Sequence, residues 1–112
     1  MIVIAVVNKR HRQRGLYIGR PTIFGNYAEG DAETLSSRHK HVEAYREYFH
    51  QRLETDAEFQ DAMDFLITKA VRDNGLVLQC WCHPLACHGH VLRDYLVNRL
   101  NEMGFDAVAQ KE

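Results

Sequence analysis

Long apolar runs are missing from this chain. Nothing in it approaches the ~20 consecutive apolar residues of a membrane-spanning helix. Its longest runs, Ile2–Val7 and the stretch that begins at Leu76, have the length of buried strands. A helical membrane span is thereby excluded. The opening Met1-Ile-Val-Ile-Ala-Val-Val7 has neither the positive leader nor the small-residue cleavage pattern of a signal peptide, so a cytosolic protein is expected. Cysteine is sparse and odd in number, at three. Cys80 and Cys82 stand too close along a strand to pair comfortably, so reduced thiols are expected in place of a secreted disulfide framework. An excess of either charge is lacking as well. The 14 Lys and Arg against 15 Asp and Glu give a formal net charge of −1, which excludes a general polycation. No internal repeat or low-complexity tract appears.

What remains is ordinary for a folded domain: 112 residues, 46% apolar and 26% charged, enough for one core and not for two. A single domain over residues 1–112 is expected. Within it the reactive side chains are gathered tightly. All three cysteines and three of the seven histidines fall in the eleven residues from Cys80 to His90. Thiols and imidazoles ligate soft metals and serve as nucleophile or base near neutral pH, so this segment marks the candidate site.

Ile2–Val7 is rich in β-branched residues and reads as a strand buried on both faces. A polar basic loop, Asn8 to Gly15, leads to a short strand at Leu16–Ile18. Pro21, Gly25 and Gly30 punctuate a long irregular loop to about Ser37. Val42, Tyr45, Phe49 and Leu53 then share one face of a helix over about 38–53. Thr55-Asp-Ala-Glu58 has the pattern of a capping box for a second helix carrying Phe59, Met63, Leu66 and Ala70, which Asn74-Gly75 stops. Leu76–Trp81 forms the second long strand. The last helix starts near Cys87 or His88 and turns Val91, Leu92, Tyr95, Leu96, Leu100 and Met103 inward. Gly104 ends it, and Phe105–Ala109 adds an edge strand. Alternating strands and helices predict an α/β sandwich with a small, mostly parallel sheet of three to four strands and about three helices. Ligands of such sheets settle beyond the carboxyl ends of the strands, where the loops after Val7 and Cys82 both lie.

On a strand Cys80 and Cys82 point to one face, continuing Leu76 and Leu78, and Trp81 points into the core on the other. Cys87 falls at a helix N-terminus, where free amides and the helix dipole favour a thiolate or another anion. Three chemistries stay open. Cys87 or Cys82 serves as nucleophile with His88 or His90 as proton carrier, or the same helix start binds an anionic ligand. Alternatively Cys80, Cys82, Cys87 and His88 hold zinc, although C-x-C is not the usual C-x2-C knuckle. Or the thiols are core residues and the histidines cap the helix. Cys87 to Arg93 also fits the C-x5-R spacing of phosphatase loops, but Val91 and Leu92 already belong to the buried helix face.

The stretch Leu78-x-Cys-Trp-Cys-x-Pro-x-x-Cys-His-Gly-x-Val-Leu92 resembles the signature of domain of unknown function 4326, a small family of phage and bacterial proteins. Tyr17-Ile-Gly-Arg20, the Gly25-Asn26 loop and Ala44-Tyr-Arg-Glu-Tyr48 resemble its N-terminal half. The family commonly has Asn-Pro-Phe where this chain has Asn26-Tyr27-Ala28, and often an acid where it has His90. The strand–Cys–loop–Cys-His–helix element is also similar to domain of unknown function 488. The resemblance implies a small Rossmann-like α/β domain, in a bacterial or phage-infected cytoplasm. It groups the Tyr-Ile-Gly-Arg and Cys-His-Gly segments as one site.

Arg20, beside a glycine at a strand end, is suited to clamping a phosphate or carboxylate in two bonds. Tyr17 offers a stacking surface or a core ring. Tyr17, Gly19, Arg20, Asn26 and Gly89 thus form the candidate ligand-binding set, with Gly19, Gly25 and Asn26 also serving turn geometry. The expected partner is a nucleotide-like or other phosphate-bearing small ligand seated at Cys87-His88-Gly89. The run Lys9 to Arg14 is either a solvated loop or a salt-sensitive contact to nucleic-acid phosphates.

Overall fold

A computed structural model of the chain describes residues 1–9, 14–20, 22–25, 35–80 and 88–110, with backbone alone for 35–39. In chain order these residues form β1 (Ile2–Asn8), β2 (Leu16–Tyr17), α1 (Leu35–Thr55), α2 (Ala57–Asp73), β3 (Gly75–Cys80), α3 (His88–Glu102) and β4 (Ala107–Ala109). The strands make one sheet in the order β2-β3-β1-β4, and every pairing is parallel. The expected α/β class with a small parallel sheet and three helices is what the chain adopts.

Register follows the apolar pattern. Ile4 pairs with Leu76, Val6 with Leu78 and Asn8 with Cys80. Parallel pairs place their side chains on the same face. Ile2, Ile4, Val6, Leu76, Leu78 and Cys80 therefore line one face, and all belong to the core cluster. Against them lie Phe59, Met63, Leu66 and Ala70 of α2 and Val91, Leu92, Leu96 and Leu100 of α3. Helix α1 packs on α2 and α3, seating Tyr45 and Phe49 in the same core.

The other face differs from the expectation of a strand buried on both sides. Val3, Val77 and Val108 are each 38% exposed on it, because the described helices all stack on the Ile4–Val6 side. Met103 is likewise exposed and not inward, since α3 ends at Glu102 and the chain turns there. The edge strand is shorter than Phe105–Ala109 for the same reason: Phe105 and Asp106 complete the turn, with the Phe105 amide donating to Leu100 O at 3.0 Å.

Cap assignment shifts by one residue from the Thr55–Glu58 box. Helix α1 runs through Thr55, whose hydroxyl donates to the carbonyl of Gln51 at 2.8 Å. The cap of α2 is Asp56, extended at φ −119° and ψ 103°, whose Oδ1 accepts from the amides of Glu58 and Phe59. Arg52 donates to the same carboxylate at 2.7 and 3.0 Å and holds it below the usual carboxylate range. Its guanidinium also lies over the Phe59 ring and donates to Tyr48 Oη at 2.8 Å. At the far end, Asn74 adopts the left-handed conformation at φ 55° and closes α2 as expected.

The loop after β2 is fixed to the core by Tyr45, whose hydroxyl donates to the buried carbonyl of Phe24 at 2.8 Å. Tyr45→Phe leaves that carbonyl unsatisfied with no change in ring volume. It should cost about 1–3 kcal/mol. Urea titration checks this as a lower midpoint at an unchanged slope.

Candidate functional site

The chain leaves the two central strands in opposite directions. After β1 it travels to β2, beyond β3; after β3 it travels through α3 to β4, beyond β1. The two departures also use opposite faces. Helix α3 lies on the core face. Gly15, at the end of the first connection, lies against the other: a Cβ there would stand 3.0 Å from Val77 Cγ1 and 3.3 Å from Gln79 Cβ. Such a divergence opens a crevice at the carboxyl ends of the parting strands. Here it opens where Asn8 pairs with Cys80.

One hydrogen bond joins the two sequence motifs at that edge. The Ile18 amide donates to Gln79 O at 3.0 Å, extending the β2–β3 pairing. The Ile18 carbonyl then accepts from His88 Nε2 at 2.8 Å. His88 is the first residue of α3, is 9% exposed, and meets the ring of Tyr45 edge-on at 5.1 Å. A carbonyl can only accept, so the proton sits on Nε2, and Nδ1 is the ring atom left to take one up. Burial pushes the imidazole below its ordinary pKa, against a smaller opposing pull from the Ile18 carbonyl.

Beyond Ile18 the chain doubles back tightly. Thr22 places both its amide and its hydroxyl on the Gly19 carbonyl, at 2.9 and 2.6 Å, and the Gly25 amide donates to Thr22 O at 3.0 Å. A Cβ at Gly19 would overlap the end of the Tyr17 side chain, which would have to shift. That ring also carries Lys9 Nζ at 4.4 Å from its centroid, so Tyr17 is engaged by its own neighbours. Arg20 projects from this turn as an exposed side chain.

The structure thus brings together the segments holding Tyr17, Gly19 and Arg20 with those holding His88, Gly89 and His90. Gly89 is buried and His90 half-buried. Cys80 is 1% exposed within the core cluster, in line with its strand position. Asn26, Cys82 and Cys87 lie outside the described residues, as do Trp81 and most of the basic loop from residue 10 to 13. Of the four zinc candidates only Cys80 and His88 are described. Among the described residues no three His, Cys, Asp or Glu side chains gather as a metal site, and no helix is long and apolar enough to cross a membrane.

Two contributors escaped the sequence reading. Asn8 is 6% exposed at the crevice, on the same face as Cys80. Its signal was available as the first polar residue after an apolar strand. Tyr45 read only as a core aromatic, and its edge contact to His88 spans 43 residues of sequence.

The family model of a domain of unknown function (DUF4326) matches residues 6–98, and the chain belongs to that family. No curated protein and no solved structure matches it.

A buried neutral imidazole makes stability depend on pH in a defined window. The unfolded chain takes up a proton near pH 6.5, while the folded chain resists until lower pH. Between those values the unfolded state binds more protons, so stability is full above the window and falls as pH drops through it. The depressed carboxylates of Asp56 and Asp73 act only near and below 3.8, outside this window. Melting temperature should fall from pH 7.5 to 5 in the native protein, and His88→Gln should flatten that slope. Equal slopes in the two proteins would remove His88 as the cause.

Proposed function

We propose that this family member binds a nucleotide-like or other phosphate-bearing small ligand at the start of α3, with Arg20 opposite. The observation that carries this reading is the bond between His88 and the Ile18 carbonyl, which fixes the Arg20 turn against the first residue of α3 at the strand crevice. The first turn of α3 contains no acidic residue, so its amides and dipole keep their preference for an anion. Gly89 keeps that turn free of bulk. Arg20 supplies a planar fork that matches two phosphate oxygens.

If the ligand is turned over, Cys87 or Cys82 serves as nucleophile. His90, or His88 through Nδ1, carries the proton in a transfer or hydrolysis at a nucleoside or nucleotide. The buried, carbonyl-bound His88 favours His90 as the imidazole that reaches a ligand directly. Lys9 lies beside Tyr17 at the same end of the sheet and adds positive charge there.

Native mass spectrometry of untagged protein, followed by calorimetric titration with inorganic phosphate and nucleoside monophosphates, tests the reading. Binding is expected, with Arg20→Ala weakening it about tenfold to a hundredfold through loss of charge-assisted hydrogen bonds. Cys87→Ser should leave a binding protein without turnover. Stoichiometric zinc lost together with the fold on chelation would instead assign the thiols to a structural site. No binding, or binding indifferent to Arg20→Ala, would overturn the proposal. Affinity for DNA or RNA that falls steeply with salt would redirect it to the basic loop.

A further inference from the structure

Arg20 is mounted on a segment whose carbonyls are engaged one after another. Ile18 O accepts from His88 of α3, Gly19 O from the amide and hydroxyl of Thr22, and Phe24 O from Tyr45 of α1. Ile23 O accepts a longer bond, at 3.4 Å, from Arg52. The Phe24 ring meets Phe59 of α2 edge-on at 6.4 Å. All three helices therefore hold the segment that carries Arg20, while Arg20 itself is exposed.

Gly25 closes this turn, its amide donating to Thr22 O at 3.0 Å. It is buried, and its backbone lies outside the left-handed region: among the described residues the glycines with positive φ are Gly75 and Gly104. Its conformation is therefore open to residues with side chains, and the turn-forming role expected from the sequence does not account for the glycine. Space does. A Cβ at position 25 would stand 3.0 Å from Arg20 N, 3.1 Å from its Cα and 3.2 Å from its Cγ. Ordinary contacts between carbon atoms lie at about 3.5–4.0 Å, so one side would have to give. Phe24, next to Gly25, is tied by Tyr45, and Gly19, next to Arg20, is tied by Thr22. The two backbones resist, and the Arg20 side chain is the part that yields.

We infer that Gly25 is a positioning residue for Arg20. Bringing no side chain of its own, it lets the arginine backbone and stem rest on the turn, and so fixes where the guanidinium fork is presented. The inference rests on the anion-site reading for what Arg20 binds, but not for how Arg20 is held. A fork on a fixed stem loses less rotamer freedom on binding than one on a mobile stem, and the difference is gained as affinity.

Chemical-shift titration with inorganic phosphate compares the full native chain, Gly25→Ala, Arg20→Ala and the double variant, each verified as folded by its amide spectrum. Gly25→Ala is expected to weaken phosphate binding about threefold to tenfold, the cost of ordering one long side chain. In the Arg20→Ala background the same substitution should have no effect. A second measurement needs no ligand. In protein carrying 15N-labelled arginine, the Arg20 Nε–H signal is identified by its loss in Arg20→Ala. It should show a positive heteronuclear NOE in the native chain and lose it in Gly25→Ala. Thr22→Val removes the hydroxyl bond to Gly19 O and adds nothing at position 25; it should release the signal in the same way should Gly25→Ala fail to fold. An Arg20 signal with the same NOE in the native chain and the folded variants would overturn the inference. So would a loss of phosphate affinity in Gly25→Ala that persists in full without the Arg20 side chain. A native chain that takes up no phosphate, yet holds and releases the Arg20 signal as described, would support the positioning role and remove only the ligand.

Discussion

The imidazole of His88 donates to the carbonyl of Ile18, and the carboxyl edge of the sheet is organised around that contact. It ties the residue that starts α3 to the residue that follows β2, 70 positions away in sequence. Tyr45 of α1 closes the arrangement, its ring against His88 and its hydroxyl on Phe24. Three segments of the chain thus meet through one imidazole and one phenol. A buried polar group of this kind is costly unless satisfied. Satisfied, it fixes its neighbours more tightly than apolar packing alone, because the bond is directional.

The same contact limits what His88 can do chemically. With Nε2 committed to a carbonyl, proton traffic is confined to Nδ1, and burial keeps the ring neutral near physiological pH. His88 is therefore best placed to position the motif that surrounds it. His90, two residues further along the same turn, is half-buried. The two histidines that looked equivalent in sequence are separated by their surroundings.

The sheet and helices were legible because their periods are local properties of the chain. The β-branched run at Ile2–Val7, the Tyr45–Phe49 spacing and the Asn74-Gly75 stop each determine an element without help from distant residues. The errors were those of context. Thr55 and Asp56 are both good caps, and the choice between them rested on how far α1 continued, which Arg52 settles by pairing with Asp56. Ile2–Val7 reads as buried on both faces because a valine-rich strand looks the same whether or not a second layer lies over it. Asn8 is a buried polar residue only because β1 and β3 end in register, a tertiary fact.

The sheet face that carries no helix among the described residues is graded along the strands. Its amino-terminal half is a band of valines, whereas its carboxyl-terminal half carries Gln79, Tyr17 and the Lys9 ammonium over the tyrosine ring. An apolar band gains by exclusion of water, whereas an exposed ammonium over an aromatic ring keeps contact with it. The two demands are met on one surface because the connection from β1 to β2 arrives between them, with Gly15 laid against Val77 and Gln79. A side chain larger than hydrogen at Gly15 would lift that connection from the sheet and blur the division. Gly15 therefore serves the boundary between a dry and a wet half of the face, as Gly19 serves the turn that presents Arg20.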